Sequence, residues 1–173
     1  MTTKRLVLTG PESSGKSALS EHLAHVLGIP LALEYARFYL EEHGPHYDYD
    51  LLLTIARGHL DYQRTKAPPD APLAVLDTDL INFKVWSEVA FGRFHPELQL
   101  ALAEESNHLY LLCYPDLPWE SDPLREHPHA RLMLYERHKA EIERLHRPYE
   151  IIRGIGEERY RNAEAAAKRL FSN

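Results

Sequence analysis

Residues 10–17 read Gly10-Pro11-Glu12-Ser13-Ser14-Gly15-Lys16-Ser17, which fits the phosphate-binding pattern G-x-x-x-x-G-K-[ST]. The apolar run at residues 6–9 leads directly into this motif. Apolar residues then follow at the spacing of one helix face: Leu19, Leu23, Val26 and Leu27. The motif therefore lies at a strand-to-helix turn, the place where a P-loop must lie to work.

The chemistry of such a turn depends on backbone amides and on two side chains. Gly10 and Gly15 allow tight bending and close approach of a ligand to the backbone. Consecutive N–H groups and the start of the next helix then form an anion-binding concavity. Lys16 is expected to reach the β- and γ-phosphates, and the Ser17 hydroxyl to ligate Mg²⁺. We predict an ATP site built from Gly10, Glu12, Ser13, Ser14, Gly15, Lys16 and Ser17.

Composition limits the class of protein. A chain of 173 residues is long enough for a single domain with a proper core. Its net charge of −6 argues against a broad nucleic-acid surface and against stable membrane association. One cysteine, Cys113, excludes an internal disulfide framework, and Met1–Arg5 leads into a strand rather than a signal peptide. We expect a cytoplasmic protein whose partners are ATP and a small-molecule substrate; whether it forms a homo-oligomer stays open.

Strand-like and helical segments alternate along the whole chain. The predicted strands are residues 4–9, 31–33, 73–76, 109–113 and 149–152. Five predicted helices have definite bounds: residues 17–27, 34–43, 81–91, 97–106 and 157–171. A further helix is predicted to begin at its cap, Asp50, and another to bury the face formed by Leu132, Tyr135, Ile142 and Leu145. Several strands are continuous apolar runs, which is typical of a parallel sheet covered on both faces. We predict a three-layer α/β fold of the P-loop nucleoside/nucleotide-kinase type, with a five-stranded parallel sheet.

Acidic residues follow two of the predicted strands, at the sheet edge where ligands bind. Asp77 follows an apolar strand as in a Walker B motif, so we predict that Asp77 and Ser17 hold the metal. Asp79 either faces the substrate or only caps the next helix. Glu34 or Asp77 is the candidate general base, and the sequence does not choose between them. Alternatively, Glu34 forms a surface ion pair with Arg37.

Cations and aromatic side chains supply further candidates. Arg125 and Arg131 lie in the Pro-rich segment 115–131 and could close over the phosphates, although spacing alone favours two solvated arginines. Tyr35, Tyr39 and Trp86 could stack on a flat ring, but such residues at helical spacing are more often core. The histidines are too scattered for a structural zinc site.

Four groups of residues together resemble the NadR-type ribosylnicotinamide kinase domain. They are the Glu-Ser-Ser-Gly-Lys-Ser form of the P-loop, Glu34-Tyr35-Ala36-Arg37, Leu76-Asp77-Thr78-Asp79, and Trp119 with Asp122, Leu124 and Arg125. The resemblance implies Mg²⁺-dependent transfer of phosphate from ATP to the ribose 5′-hydroxyl of nicotinamide riboside, giving nicotinamide mononucleotide. It makes Arg125 a catalytic residue of a lid-like segment.

On the substrate side, the resemblance favours Glu34, Tyr35 and Arg37, and we add Tyr39, Asp79 and Trp86 to the predicted substrate-binding set. Lys16, Glu34, Asp77 and Arg125 form the predicted catalytic set. Bifunctional members of the family carry an adenylyltransferase domain before the kinase. Because the chain begins at the kinase strand, adenylyl transfer and repressor activity are not expected of it. Two alternatives remain: a P-loop kinase for another nucleoside or nucleotide, and a non-catalytic module that binds nucleotides or phosphoinositides.

Overall fold

The computed structural model describes residues 3–172, in which strands and helices alternate. The strands are β1 (Lys4–Thr9), β2 (Leu31–Ala32), β3 (Leu73–Asp77), β4 (His108–Cys113) and β5 (Tyr149–Ile152). The helices are α1 (Lys16–Leu27), α2 (Tyr35–His43), α3 (Tyr49–Lys66), α4 (Leu80–Phe91), α5 (Pro96–Glu104), α6 (Arg131–Arg144) and α7 (Glu157–Ser172). Met1 and Thr2, which begin the predicted lead-in to β1, lie outside the described residues.

The five strands form one parallel sheet in the order β2-β3-β1-β4-β5. In the central register, Val7 of β1 pairs with Leu76 of β3 and with Tyr110 of β4. The predicted five-stranded parallel sheet is therefore confirmed. Because β1 is the middle strand, the loop that follows it lies at the centre of the sheet's carboxyl edge, where open α/β sheets bind ligands.

Two hydrophobic cores lie on opposite faces of the sheet, as the alternation of side chains along each strand requires. Leu6 and Leu8 point into a core shared with α1 and α7, whereas Val7 points into a larger core shared with α2 to α6. All three side chains are fully buried. Burial on both faces explains why the strands are continuous apolar runs and establishes the three-layer α/β architecture.

Two details of the helices differ from the sequence prediction. The third helix begins at Tyr49, and its cap is Asp48, whose carboxylate accepts from the Leu51 amide at 2.8 Å. Asp50 lies within the first turn, where its negative charge interacts favourably with the positive end of the helix dipole. In α6, Leu132 is 55% exposed, because the buried stripe passes through Leu134, Tyr135, His138 and Ile142 instead.

The helices were also compared with the requirements of a membrane span. Within residues 3–172, none combines the length and the apolar character needed to cross a bilayer.

Candidate active site

The phosphate-binding loop is shaped by backbone conformations that few residues adopt. Gly10 has φ 133° and Gly15 has φ 79°, and a Cβ on Gly10 would lie 2.7 Å from the Cys113 carbonyl oxygen. Glycine is therefore required at position 10, where β1 and β4 lie closest to the loop. Lys16 Nζ and Ser14 Oγ each donate to the Pro11 carbonyl at 2.7 Å, which closes the loop on itself.

The loop forms one end of a cavity of about 550 Å³, a size typical of small-molecule sites. Residues 10–18 line this end. The remaining lining combines polar and aromatic side chains from α4, α6 and the segments around α2 and before α6: Glu34, Arg37, Tyr47, Asn82, Trp86, Arg125 and His138. A polyanion and a second, flatter molecule can therefore occupy one continuous space.

Ser17 and Asp77 form the candidate metal centre beside the loop. Ser17 Oγ donates to Asp77 Oδ2 at 2.6 Å, and Asp77 is 1% exposed. Burial, assisted by the negative charge of Glu34, raises the pKa of Asp77 to about 7. Asp77 Oδ1 is buried and has no hydrogen-bond partner within residues 3–172. A hydroxyl beside a carboxylate with an unused oxygen fits a hard divalent cation such as Mg²⁺.

Glu34 and Arg37 both line the cavity, but they do not form the ion pair that the alternative hypothesis supposed. Arg37 Nη2 lies 2.7 Å from Asp122, and its Nε lies 2.9 Å from Glu41. Glu34 occupies the position before α2 without capping it, so its carboxylate remains available to the cavity. The structure therefore favours Glu34 over the buried Asp77 as the group that could meet a substrate hydroxyl.

Two of the predicted aromatic contacts are placed elsewhere. The Tyr35 ring packs against Gly58 of α3 and lies 5.7 Å from Tyr62, centroid to centroid. Tyr39 stacks on His43 at 4.2 Å. Both rings pack against the core outside the cavity wall, because they lie on the face of α2 that meets α3. The expectation that Tyr35 and Tyr39 face the substrate is corrected accordingly.

Trp86 does line the cavity, together with Tyr47, which sequence reasoning missed. The two rings meet edge to face at 4.8 Å, and Tyr47 Oη donates to Glu126 at 2.7 Å. Burial raises the pKa of Tyr47 to about 12, so this phenol stays protonated. The pair offers an aromatic surface on the cavity wall.

Asp79 is a structural residue rather than a wall of the cavity. It is fully buried; Oδ1 accepts from the Ile81 amide at 2.9 Å and so caps α4. Oδ2 accepts from Tyr110 Oη at 2.5 Å and lies 2.9 Å from His108 Nδ1. Burial alone raises the pKa of Asp79, but these hydrogen bonds and the charge of His108 hold it below its ordinary value. Of the two predicted roles, the structure supports the helix cap.

Asp79, Glu105 and His108 also place potential metal ligands within 4.8 Å of one another. Arg147 approaches the same group, with Nη1 3.9 Å from Glu105 Oε2 and 2.8 Å from Tyr110 Oη. A guanidinium therefore already supplies positive charge at this buried cluster, which favours a structural network over a cation site.

The connection between β4 and α6, residues 114–130, lies across the phosphate-binding loop. Glu12 accepts from the backbone amides of Glu126 at 3.1 Å and His127 at 2.9 Å. Ser13 Oγ accepts from the Glu120 amide at 2.9 Å. Glu12 and Ser13, predicted to bind ATP, thus hold this connection in the described structure. We call residues 114–130 the β4–α6 connection below.

The two predicted arginines of this region differ in position. Arg125 lines the cavity and donates to the Glu120 carbonyl at 2.5 Å. Arg131 is the first residue of α6 and lies outside the cavity wall. It donates to the Leu117 carbonyl at 2.8 Å and to the Ser13 carbonyl at 3.2 Å. Arg131 therefore supports the loop from behind, and Arg125 is the better placed of the two to meet a ligand.

Arg159, which sequence reasoning did not single out, ties three loops together. Its Nη2 donates to the carbonyls of Ser14 and Tyr114, and its Nη1 donates to the Gly154 carbonyl and pairs with Asp116. The residue is 3% exposed. Nothing in its position near the start of α7 distinguishes it from an ordinary helix residue; only the fold brings it under the phosphate-binding loop.

Comparison with known proteins agrees with this geometry. The family described as an AAA domain (AAA_28) matches residues 5–159. The chain belongs to this family. The trifunctional NAD biosynthesis/regulator protein NadR of Escherichia coli (strain K12) is 32% identical over 129 residues, covering 70% of this chain and 31% of that protein. NadR of Salmonella typhimurium matches to the same extent. The chain thus spans about a third of the length of these curated relatives.

Solved structures extend the likeness to the fold. A crystal structure of NadR in complex with NR has a TM-score of 0.77 at 21% identity, covering 99% of this chain and 52% of that one. NadR in complex with NAD and AMP-PNP has a TM-score of 0.75 at 21% identity and covers 50% of that chain. Shikimate kinase from Acinetobacter baumannii in complex with shikimate has a TM-score of 0.57 at 14% identity. The chain therefore has the P-loop kinase fold.

Proposed function

We propose that this protein is a ribosylnicotinamide kinase, which transfers the γ-phosphoryl group of ATP to the 5′-hydroxyl of nicotinamide riboside. The observation that carries the proposal is the single cavity that joins the phosphate-binding loop to Glu34 and the Trp86–Tyr47 pair. Similarity to NadR, whose solved complexes are with NR and with NAD and AMP-PNP, supports the choice of substrates.

The donor side of the reaction rests on the loop. Its amides and Lys16 bind the β- and γ-phosphates, for which Lys16 exchanges its bond to the Pro11 carbonyl. Ser17 and Asp77 would hold Mg²⁺, which neutralises charge on the phosphates when bound. Arg125 lies on the cavity wall and can turn from the Glu120 carbonyl toward the charge that develops during transfer.

The acceptor side rests on Glu34. Its carboxylate takes the proton from the 5′-hydroxyl as the oxygen–phosphorus bond forms and the bond from the γ-phosphorus to the β-phosphate oxygen breaks, which releases ADP. Arg37 forms its ion pairs with Glu41 and Asp122 rather than with Glu34. The aromatic pair Trp86 and Tyr47 offers a face on which the pyridinium ring can stack.

A panel of acceptors tests the proposal. ADP release would be measured with nicotinamide riboside, adenosine, thymidine and the corresponding nucleotides, with Mg²⁺ and ATP present. We expect the highest kcat/KM with nicotinamide riboside. A higher value with another nucleoside or nucleotide would reassign the acceptor, whereas ATP binding without ADP release from any acceptor would indicate a non-catalytic module.

Two variants separate the proposed roles within the same assay. Glu34→Gln should lower kcat by roughly 100-fold or more with little change in the KM for ATP, as expected for loss of a general base. Arg125→Ala should lower kcat more than it raises the KM for ATP, because its contact is made mainly in the transition state. A pure KM effect of Arg125→Ala would reassign this residue to ground-state binding.

A further inference from the structure

His138 is a polar residue of the cavity wall that the proposed mechanism does not use. It lies on α6, is 4% exposed and lines the cavity beside Leu134 and Val85. Its sequence position gives no hint of this location, since the residues around it form an ordinary amphipathic helix. The tautomer of its ring decides which hydrogen-bonding group His138 can offer to a ligand.

The backbone fixes the tautomer of His138. Nδ1 lies 2.7 Å from the Leu134 carbonyl oxygen, which can only accept, so Nδ1 carries the hydrogen. In a neutral imidazole, Nε2 is then the acceptor. Nε2 is buried and has no hydrogen-bond partner within residues 3–172. A buried acceptor left without a donor is destabilising, and a ligand donor can remove that cost.

The electrostatic surroundings keep the ring neutral. Burial lowers the pKa of His138 to about 4, and the positive charge of Lys16 acts in the same direction. The Leu134 carbonyl and the negative charge of Asp79 oppose this shift without overcoming it. The ring therefore offers an acceptor rather than a second donor at neutral pH.

His59 shows that buried ring nitrogens alone do not make a binding group. Both of its nitrogens are buried without a partner within the described chain, and burial lowers its pKa to about 4 as well. Its ring packs against Phe83 at 5.1 Å, and it lines no part of the cavity. His138 differs because it forms part of the wall that an acceptor molecule would touch.

We propose that Nε2 of His138 accepts a hydrogen bond from an uncharged donor of the phosphoryl-acceptor molecule, a sugar hydroxyl or an amide N–H, and selects molecules that carry this donor. The proposal rests on the proposed function in that the cavity binds a nucleoside-like acceptor. It makes His138 a specificity residue: an analogue without the donor leaves a buried acceptor unpaired and binds more weakly.

A substrate-deletion series provides the kinetic test. The wild-type protein and His138→Leu would be assayed with nicotinamide riboside and with analogues that lack the 2′-hydroxyl, the 3′-hydroxyl or the carboxamide N–H groups. We expect one analogue to lose roughly 10- to 100-fold in kcat/KM with the wild-type protein. That loss should nearly disappear in His138→Leu, whereas the KM for ATP should not change.

Two further variants guard against a purely structural effect. His138→Gln keeps an acceptor near the place of Nε2 and should restore part of the discrimination. His59→Leu removes a comparably buried histidine away from the cavity and should alter stability without altering discrimination. If His138→Leu lowers kcat/KM by the same factor for every analogue, or raises the KM for ATP equally, the proposal is overturned.

A binding measurement keeps the proposal testable without turnover. In the wild-type protein with ¹⁵N-labelled histidine, adding nicotinamide riboside without ATP should shift the His138 Nε2 resonance and leave the Nδ1 tautomer unchanged. An unchanged Nε2 resonance in the saturated complex would refute the proposal. If another nucleoside proves to be the acceptor, its deoxy analogues replace the nicotinamide riboside analogues in the same experiment. Failure of the proposed substrate is therefore distinguishable from failure of the proposed role of His138. If no nucleoside binds, both proposals fail.

Discussion

Replacing Asp77 with asparagine should make the metal-free protein more stable at neutral pH. The pKa of Asp77 is raised from 3.8 to about 7, first by burial and then by the charge of Glu34. The folded state therefore binds the proton more tightly than the unfolded state does. Stability from this group is fully present below pH 3.8 and is lost as the pH rises through about 7. Asparagine has no such loss, because it does not ionise.

The size of the effect follows from the same pKa values. At about 1.4 kcal/mol per pKa unit, the ionised Asp77 lowers the free energy of unfolding by at most about 4 kcal/mol above pH 7. Between pH 5 and pH 7, the stability of Asp77→Asn relative to the wild type should rise by about 2 kcal/mol. Above pH 8 the difference should be constant.

The assay is urea unfolding of both proteins at pH 5.0, 6.0, 7.0 and 8.0 in EDTA. The difference in the free energy of unfolding between the two proteins is taken at each pH, so that the contributions of other titratable groups cancel. Asp79→Asn is the matched control. The pKa of Asp79 lies below its ordinary value despite burial, because its bonds to His108 and Tyr110 favour the charged form. Asp79→Asn should therefore destabilise the protein at every pH of this series, because it removes the charged acceptor of the Ile81 amide, Tyr110 and His108.

A difference between Asp77→Asn and the wild type that does not change between pH 5 and 7 would refute the reasoning. So would an Asp79→Asn protein that is more stable than the wild type at neutral pH. Adding Mg²⁺ extends the test, because a bound cation requires the ionised carboxylate. Mg²⁺ should stabilise the wild-type protein at pH 8 and leave Asp77→Asn unaffected.

Three further outcomes are expected from single substitutions. Lys16→Ala should abolish turnover while changing the free energy of unfolding by less than about 1 kcal/mol, and wild-type kinetics would contradict its role. Gly10→Ala should destabilise the protein by more than the roughly 1–3 kcal/mol of backbone strain alone, because the added Cβ would meet the Cys113 carbonyl. Gly28→Ala, whose Cβ would lie in open space, should cost less. Equal losses of stability in urea unfolding would contradict this. Arg159→Leu should lower the free energy of unfolding by roughly 3–5 kcal/mol, because Asp116 and three carbonyl oxygens would lose the Arg159 donor. It should also weaken nucleotide binding measured by calorimetry. Arg169→Leu, at an exposed position, should do neither.

Much of the fold was predictable because its signals are local. The helix ending at Gly28, the apolar strand before Asp77 and the glycine pattern at residues 10–15 each follow from the steric and packing needs of neighbouring residues. The exposure of Leu132 was not predictable, since apolar spacing tells that a helix has a buried face but not how that face turns when the helix is docked.

The site divides in the same way. Gly10, Lys16 and Ser17 belong to one contiguous motif, so their position could be read from the sequence. Asp79 and Tyr35 could not be placed, because each lies within three residues of a cavity residue and only the direction of its side chain decides its role. Arg159 and His138 come from distant helices, and their partners are mainly backbone carbonyls, which leave no pattern in the sequence.

Glu12 and Ser13 of the phosphate-binding loop accept hydrogen bonds from the β4–α6 connection, and these bonds hold the two segments together. Displacement of the β4–α6 connection from the loop would strip the Glu12 carboxylate of both of its amide donors. Phosphates bound in the loop would then lie near a carboxylate whose charge those amides no longer compensate. The position of the β4–α6 connection and the charge that a bound phosphate meets are thereby linked through one side chain, Glu12.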